Sequence, residues 1–448
     1  MNSYSRDMTT GNEYHHIIKF VIPLLVGNLL QQLYNIADTI IVGQYLGKNA
    51  IAAIGATGSI TYLFYTLCLG LATGAGILVA QFYGAGKYQQ MKEVIVNSFY
   101  VVVGFGVLIS LVATCLAREV LIFLGTPQAL LSDAAGYMMI TCGGTLAVAV
   151  YNWINAVLRA LGNSRTPLIY LGVASVLNVV LDYFFVFGLH TGVVGAAWAT
   201  VLAQAIAGIL SIWSARKNSP HFQVEKELLK WKTDVMKKCI VTGIPIAAQN
   251  GFVSISMVVL QHVTNTFGET VMAAYTVSMR IEQFIQQPFA SLNIAVSTFV
   301  GQNTGAGKDE RARKGYYVGM KIGMLFAVFV MGVFCVLAPN IMRCFVSEGA
   351  VIQMGAKALR ITAVFYTFLG TIHITRGFLN GIGDTNYALF NGLVEVICRV
   401  VFSIILTRIS GIGYWGIWWT TSITWVATAA VSVIRYRQKA FLYGNTNG

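Results

Sequence analysis

The hydrophobic positions of this chain fall in long unbroken runs, not in the alternation that a half-wetted helix or strand would show. A helix needs about 20 apolar residues to cross a bilayer core. Twelve stretches reach that length: 17–40, 51–80, 95–117, 136–158, 166–187, 193–213, 239–261, 272–300, 316–338, 357–380, 386–407 and 413–434. The pattern predicts an all-α integral membrane protein with twelve transmembrane helices. The first sixteen residues, MNSYSRDMTTGNEYHH, are polar and lack the layout of a signal peptide. The first run carries Asn28, Gln31, Gln32, Asn35 and Asp38, too polar for a cleaved leader, so it is expected to stay in the mature protein.

Composition narrows the class. Of 448 residues 56% are hydrophobic and 10% charged, with a mean hydropathy of +0.67, whereas a soluble domain carries about 25% charged residues. So few charges cannot cover a water-facing surface, which excludes a soluble enzyme, a nucleic-acid-binding protein and a disordered scaffold. The formal net charge of +13 would suit a polyanion partner, but the basic residues lie mostly between apolar runs. With the N-terminus in the cytoplasm, 22 Lys and Arg fall on that side, including Lys87, Lys92, Arg159, Arg165, the run Arg216 to Lys238, Lys308 to Lys314 and Arg435 to Lys439. Six fall outside (Lys48, Arg118, Arg343, Lys357, Arg360, Arg408), and Arg280 and Arg399 lie within spans. This bias predicts cytoplasmic termini. It divides the chain into an N-lobe (1–213, spans 1–6), a cytoplasmic linker (214–238) and a C-lobe (239–448, spans 7–12). The seven cysteines are scattered without a C-x-x-C pair, and most are expected to be small buried apolar residues.

The halves repeat. QFYGAGK at 81–87 returns as QNTGAGK at 302–308, LRALGNS at 158–164 as LNGIGDT at 379–385, and GVVGAAWAT at 192–200 as GYWGIWWTT at 413–421, all at an offset of 221. Ile22-Pro23 and Asn28 match Ile244-Pro245 and Asn250 at 222. Six spans per copy means that both copies enter the membrane in the same direction, the arrangement of transporters whose parallel repeats flank a central site. The GAGK sequences lack the spacing of a phosphate loop, and no Ser/His/Asp set or H-E-x-x-H is present, so neither nucleotide binding nor catalysis is expected.

Ionisable groups inside spans are expensive and are usually functional. The first copy has Asp38 on span 1 and Asp182 on span 5, with Asn178 one turn before Asp182 on the same helix face. Their repeat counterparts are Leu260, Ser403 and Arg399, so the fold itself does not demand these acids. Two carboxylates in a dry site need a proton or a cation. Oxygen ligands from Asp38, Asn178, Asp182 and Thr200 suit a hard cation such as Na+; the alternative is a structural, hydrogen-bonded pair. Asn28, Gln31, Asn35 and Asp38 make one polar stripe along span 1, and with Asn152 and Asn155 on span 4 they are candidates for a substrate cavity, although helix-to-helix hydrogen bonds explain the span 4 pair nearly as well. Pro23 offers a place for span 1 to bend. In the second copy Glu395 and Arg399 are placed to form an i,i+4 ion pair, Arg280 and Glu282 lie on span 8, and His373 is read as a packed histidine.

Twelve spans in two copies, the I-P-x-x-x-x-N opening of each, the Q-x-x-G-A-G-K loops and the LNVVLD segment at 177–182 resemble the multidrug and toxic compound extrusion (MATE) family over nearly the whole chain. Asp38, Asn178, Asp182 and Thr200 look like the cation site of its DinF-type branch; the acid that the NorM-type branch carries on span 7 is missing. The resemblance implies a V-shaped, two-lobed, monomeric exporter of lipophilic, often cationic compounds in exchange for H+ or Na+, with no other cofactor and no nucleic-acid partner. It further implies that protonation of Asp38 bends span 1 at Pro23. A lipid-linked oligosaccharide flippase of the same superfamily and a passive channel or scaffold are the rival readings. Few lobe-facing basic residues argue against the first, and the absence of a charge ring against the second.

Overall fold

The computed structural model describes residues 4–444, and among these there is no β-strand. In hydrocarbon every backbone amide must be bonded within its own segment, so runs this apolar become helices. Thirteen α-helices result: α1 (Glu13–Gly84), α2 (Tyr88–Phe123), α3 (Gln128–Gly143), α4 (Thr145–Ala160), α5 (Arg165–Asp182), α6 (Val193–Asn218), α7 (Thr233–Asn265), α8 (Glu269–Gly305), α9 (Asp309–Arg343), α10 (Gly349–Ala363), α11 (Tyr366–Gly381), α12 (Asn386–Arg408) and α13 (Gly416–Gly444). Nine stretches among the described residues are long and apolar enough to cross a membrane, and two bent helix pairs bring the number to eleven. The outward faces are apolar as a lipid-facing surface must be: on α9, Leu325, Phe329 and Val336 are each at least 66% exposed.

The departures from the twelve predicted spans have physical causes. Predicted spans 4 and 10 are the bent pairs, α3 with α4 at 42° and α10 with α11 at 51°. The first bend falls at Gly144, where a β-carbon would collide with the Val201 side chain. The predicted eighth span exists as the 37-residue α8 but stays outside the apolar set, because Arg280, Glu282 and several glutamines dilute it. Spans 1 and 2 have no loop between them; α1 runs through both, broken at Gly47 (φ 79°, ψ −175°). Three cysteines are buried, three exposed and Cys398 intermediate, so most are not core residues as expected.

The repeat reappears in the backbone. Left-handed glycines occur in pairs at the same offset of 221: Gly47 and Gly268, Gly86 and Gly307, Gly162 and Gly383, Gly192 and Gly413. Each stands where a chain reversal or break needs φ above zero, which side chains resist.

Packing divides the chain into two compact units. One is Met1–Met8 with Ile22–Ala247, and the other is Thr9–Val21 with Ala248–Gly448. The lobes drawn from the sequence, 1–213 and 239–448, are contiguous; the units are not, and two of the three crossings, at 21/22 and 247/248, fall at or near an Ile-Pro pair. The first unit buries Leu71, Val79, Met91, Trp153, Ile154 and Leu158 in its largest core. It also takes the start of α7, where a β-carbon on Gly74 would come within 2.6 Å of Gly243 Cα and one on Gly70 would collide with Ala247. The segment 219–232 lies on α2: Lys232 pairs with Glu93 at 2.6 Å, its backbone N–H donates to Asn97 Oδ1 at 2.8 Å, and Tyr100 stacks on Trp231. The second unit is built on Phe289, Phe334, Tyr366, Trp418 and Trp425. The start of α1 is fastened to it by Glu13–Arg311 at 2.8 Å and by Lys308 Nζ donating to Thr9 O at 2.9 Å.

Candidate cation site

Three helices of the first unit converge on a set of oxygens. Asn178 and Asp182 sit one turn apart on α5 and are 1% and 0% exposed. Asn178 Nδ2 donates to Thr200 Oγ1 on α6 at 3.2 Å, and Thr200 Oγ1 donates to Ala196 O at 3.1 Å. That chain uses one amide hydrogen of Asn178 and the hydroxyl hydrogen of Thr200, and leaves Asn178 Oδ1 without a partner among the described residues. Asp38 reaches in from α1, its carboxyl within hydrogen-bonding range of that of Asp182. Immediately after Asp182 the helix widens into a π-helical turn, Tyr183–Gly188, a distortion common where a helix serves a site.

The site is short of donors. Asp38 Oδ1, Asn178 Oδ1 and both Asp182 oxygens are buried with no hydrogen-bond partner among the described residues. A buried, uncompensated carboxylate is strongly unfavourable, and two in contact are more so. Four acceptors aimed at one small volume are complementary to a proton or to a hard cation held by oxygens. Tyr34, one turn before Asp38, has its phenol within reach of Thr200, and Tyr137 on α3 is close enough to interact electrostatically with both acids. Tyr34 was legible as an i,i+4 neighbour of Asp38 on the same face; Tyr137 comes from another helix with no spacing signal.

The other candidates scatter. Gln31 and Asn35 are exposed, and Asn28 is half-buried. Asn155 is buried with Oδ1 unpartnered, whereas Asn152 Nδ2 is spent on Val148 O of its own helix at 2.9 Å. Pro23 lies inside α1, which stays helical through it. Among the described residues no three His, Cys, Asp or Glu side chains gather as a metal site.

At the counterpart positions the second unit is chemically opposite. Arg399, aligned with Asn178, is fully buried and donates to Ser256 and, at 3.1 Å, to Glu395. Ser256 occupies the place of Tyr34. Glu395 also faces Arg376 at 3.7 Å, and Arg376 donates to Asn391 at 2.7 Å. Arg376, counted with the cytoplasmic side from the sequence, is therefore part of a network inside the unit. His373 stacks on Phe289. This copy brings its own positive charge to these positions, whereas the first unit has Asn178 where Arg399 stands.

Comparison with known proteins gives the family and again shows two copies. The MatE family profile fits residues 23–184 and again 245–405, one match per copy and together well over half of the chain. The chain belongs to the MATE family. Its MATE relatives include the probable multidrug resistance protein YpnP of Bacillus subtilis, 27% identical over 96% of both chains. The probable multidrug resistance protein NorM of Thermotoga maritima is 26% identical over 90% of this chain and 87% of its own. Among solved structures, a MOP superfamily transporter from Pyrococcus furiosus superposes with a TM-score of 0.93 at 24% identity, over 99% of this chain and 100% of its own; this is a likeness of fold. The protein is a multi-pass membrane transporter of the MATE fold.

Proposed function

We propose that this MATE protein is a cation-coupled antiporter of the DinF type that exports lipophilic, cationic compounds from the cytoplasm by alternating access, with H+ or Na+ as the coupling ion. The observation that carries the reading is the set Asp38, Asn178, Asp182 and Thr200, in which four buried acceptor oxygens of the first three have no hydrogen-bond partner among the described residues. Empty, it holds up to two uncompensated negative charges; loaded with a proton or Na+ it does not. A site with this much to gain from a small cation can exchange one for a cationic substrate, because each occupant removes the charge that attracts the other. Such coupling is reciprocal, and about 1–3 kcal/mol is ordinary for two linked sites. The names of relatives such as YpnP, and of the multidrug export protein MepA of Staphylococcus aureus, support the substrate class. Asn155 and Tyr137 then belong to the cavity wall, and Pro23 allows α1 to bend when Asp38 is neutralised. With Arg376 taken out of the cytoplasmic count, the 21-to-6 distribution of basic residues still supports cytoplasmic termini.

Transport into proteoliposomes tests this. A fluorescent cationic dye should move against an imposed pH or Na+ gradient with the wild-type protein and stop with Asp182→Asn. Dye movement indifferent to both gradients, or wild-type rates in Asp182→Asn, overturns the coupling site.

A further inference from the structure

The second unit carries an unfilled groove on its outer face. About 320 Å³ opens between the first turns of α12 and the last turns of α13, lined by Asn386, Tyr387, Phe390, Ile434, Arg435 and Gln438. Phe390 and Ile434 are 53% and 57% exposed, so the floor is apolar and open. The apolar stretches of both helices end here, at Asn386 and Lys439. The rim beyond them is cationic. Arg435 and Lys439 stand at one end, and the acid set against them is Asp384, which accepts from Arg435 Nε at 2.7 Å and Nη2 at 3.1 Å and stands 3.9 Å from Lys439. Two cations against one carboxylate leave a surplus of one positive charge. The first amides of α12 point to the same end, and Thr385 caps none of them with its side chain.

The repeat shows that the side chains here are not a requirement of the fold. At an offset of 221, Trp213 stands where Ile434 does, Ser214 where Arg435 does, and Lys217 where Gln438 does. In that copy Trp213 is itself 58% exposed, and Lys217 lies over its ring at 5.1 Å. The first unit thus pairs an indole and an ammonium of its own chain at these positions. The second has an aliphatic floor and a cationic rim, with no such pair among the described residues.

We propose that the α12–α13 groove binds one anionic phospholipid, an acyl chain lying over Phe390 and Ile434 and the phosphate at the Arg435–Lys439 end. The charge surplus selects the class: a zwitterionic headgroup would bring a further cation to a rim that already has one in excess.

The test uses the full-length protein purified in detergent and supplemented with phosphatidylglycerol or phosphatidylcholine of identical chains. Native mass spectrometry counts retained lipids, and thermal unfolding reports stabilisation. The wild type should retain one more phosphatidylglycerol than phosphatidylcholine and unfold at a higher temperature with it. Ile434→Trp, borrowing the side chain of the other copy, should lose that one lipid. Lys439→Gln, on the rim and away from the core, should weaken phosphatidylglycerol retention about fivefold while leaving phosphatidylcholine unchanged; it decides the matter if the Trp variant fails to fold. Equal retention of the two lipids by the wild type, a folded Ile434→Trp that keeps its lipid, an Lys439→Gln variant that retains phosphatidylglycerol like the wild type, or the same stabilisation from inorganic phosphate alone overturns the proposal.

Discussion

At the scale of single residues, the two units handle buried charge in opposite ways, and substitutions should separate them. Asp38→Asn and Asp182→Asn remove a charge from a site whose carboxylate oxygens are left unpartnered, so the folded protein should tolerate them. We expect unfolding temperatures at or above wild type and transport reduced at least ~100-fold, read as dye efflux at matched expression. Glu395→Ala should do the reverse. It strands the Arg399 and Arg376 guanidiniums that Glu395 balances, and breaking a buried pair from one side costs about 3–5 kcal/mol. The loss should appear as a lowered unfolding temperature before it appears in transport. The acid pair was legible because carboxylates in apolar runs are rare and their counterparts Leu260 and Ser403 are not acidic. The Glu395–Arg399 pair was legible from i,i+4 spacing. Tyr137 and Arg376 were not: their neighbours come from other helices, and a linear pattern carries no trace of such contacts.

At the scale of elements, close packing of small residues and one boxed histidine yield further tests. Gly70 and Gly74 on α1 meet Ala247 and Gly243 on α7 backbone to backbone, an arrangement membrane helices favour because small residues let them approach. Gly74→Val should destabilise by about 1–3 kcal/mol through overpacking, whereas Gly58→Val, with open space beside it, should not; thermal unfolding of both variants decides. In the segment before α7, His221 packs between the rings of Tyr83 and Tyr88. Burial first and the Lys92 ammonium second hold its imidazole below the usual range. A folded-state value below the ordinary one of about 6.5 favours the neutral ring, so this stabilisation is present above that pH and is lost as pH falls below it. Wild-type protein should lose unfolding temperature more steeply from pH 7 to pH 5 than His221→Phe. Equal slopes would mean the imidazole is not the titrating group. The helices themselves were largely predictable from run length, but the bends at Gly144 and near Val364 were not, since an apolar run reads the same whether its helix is straight or broken.

At the scale of the whole molecule, orientation is the first test. A cysteine placed at Glu225 should resist a membrane-impermeant maleimide added to intact cells and react once they are opened; labelling in intact cells would reverse the topology. The duplication was legible from short motifs at an offset of 221 and is repeated in the paired left-handed glycines. What the sequence did not disclose is that the units trade segments, residues 9–21 going one way and the start of α7 the other. Contacts that far apart in the chain leave no local periodicity. The exchange bears on how the protein can be cut. A fragment ending at Glu225 would have Gly70 and Gly74 facing nothing, a bare strip of backbone where Gly243 and Ala247 belong, and would carry a leading segment whose counterpart Arg311 is missing. Its complement would have the opposite defects. Neither piece should accumulate when made alone, yet the two made together should associate without any covalent link and restore efflux. The tether at 219–232 would then be dispensable, and duplicated halves would be bound by each other's ends in the manner of a swapped dimer written into one gene.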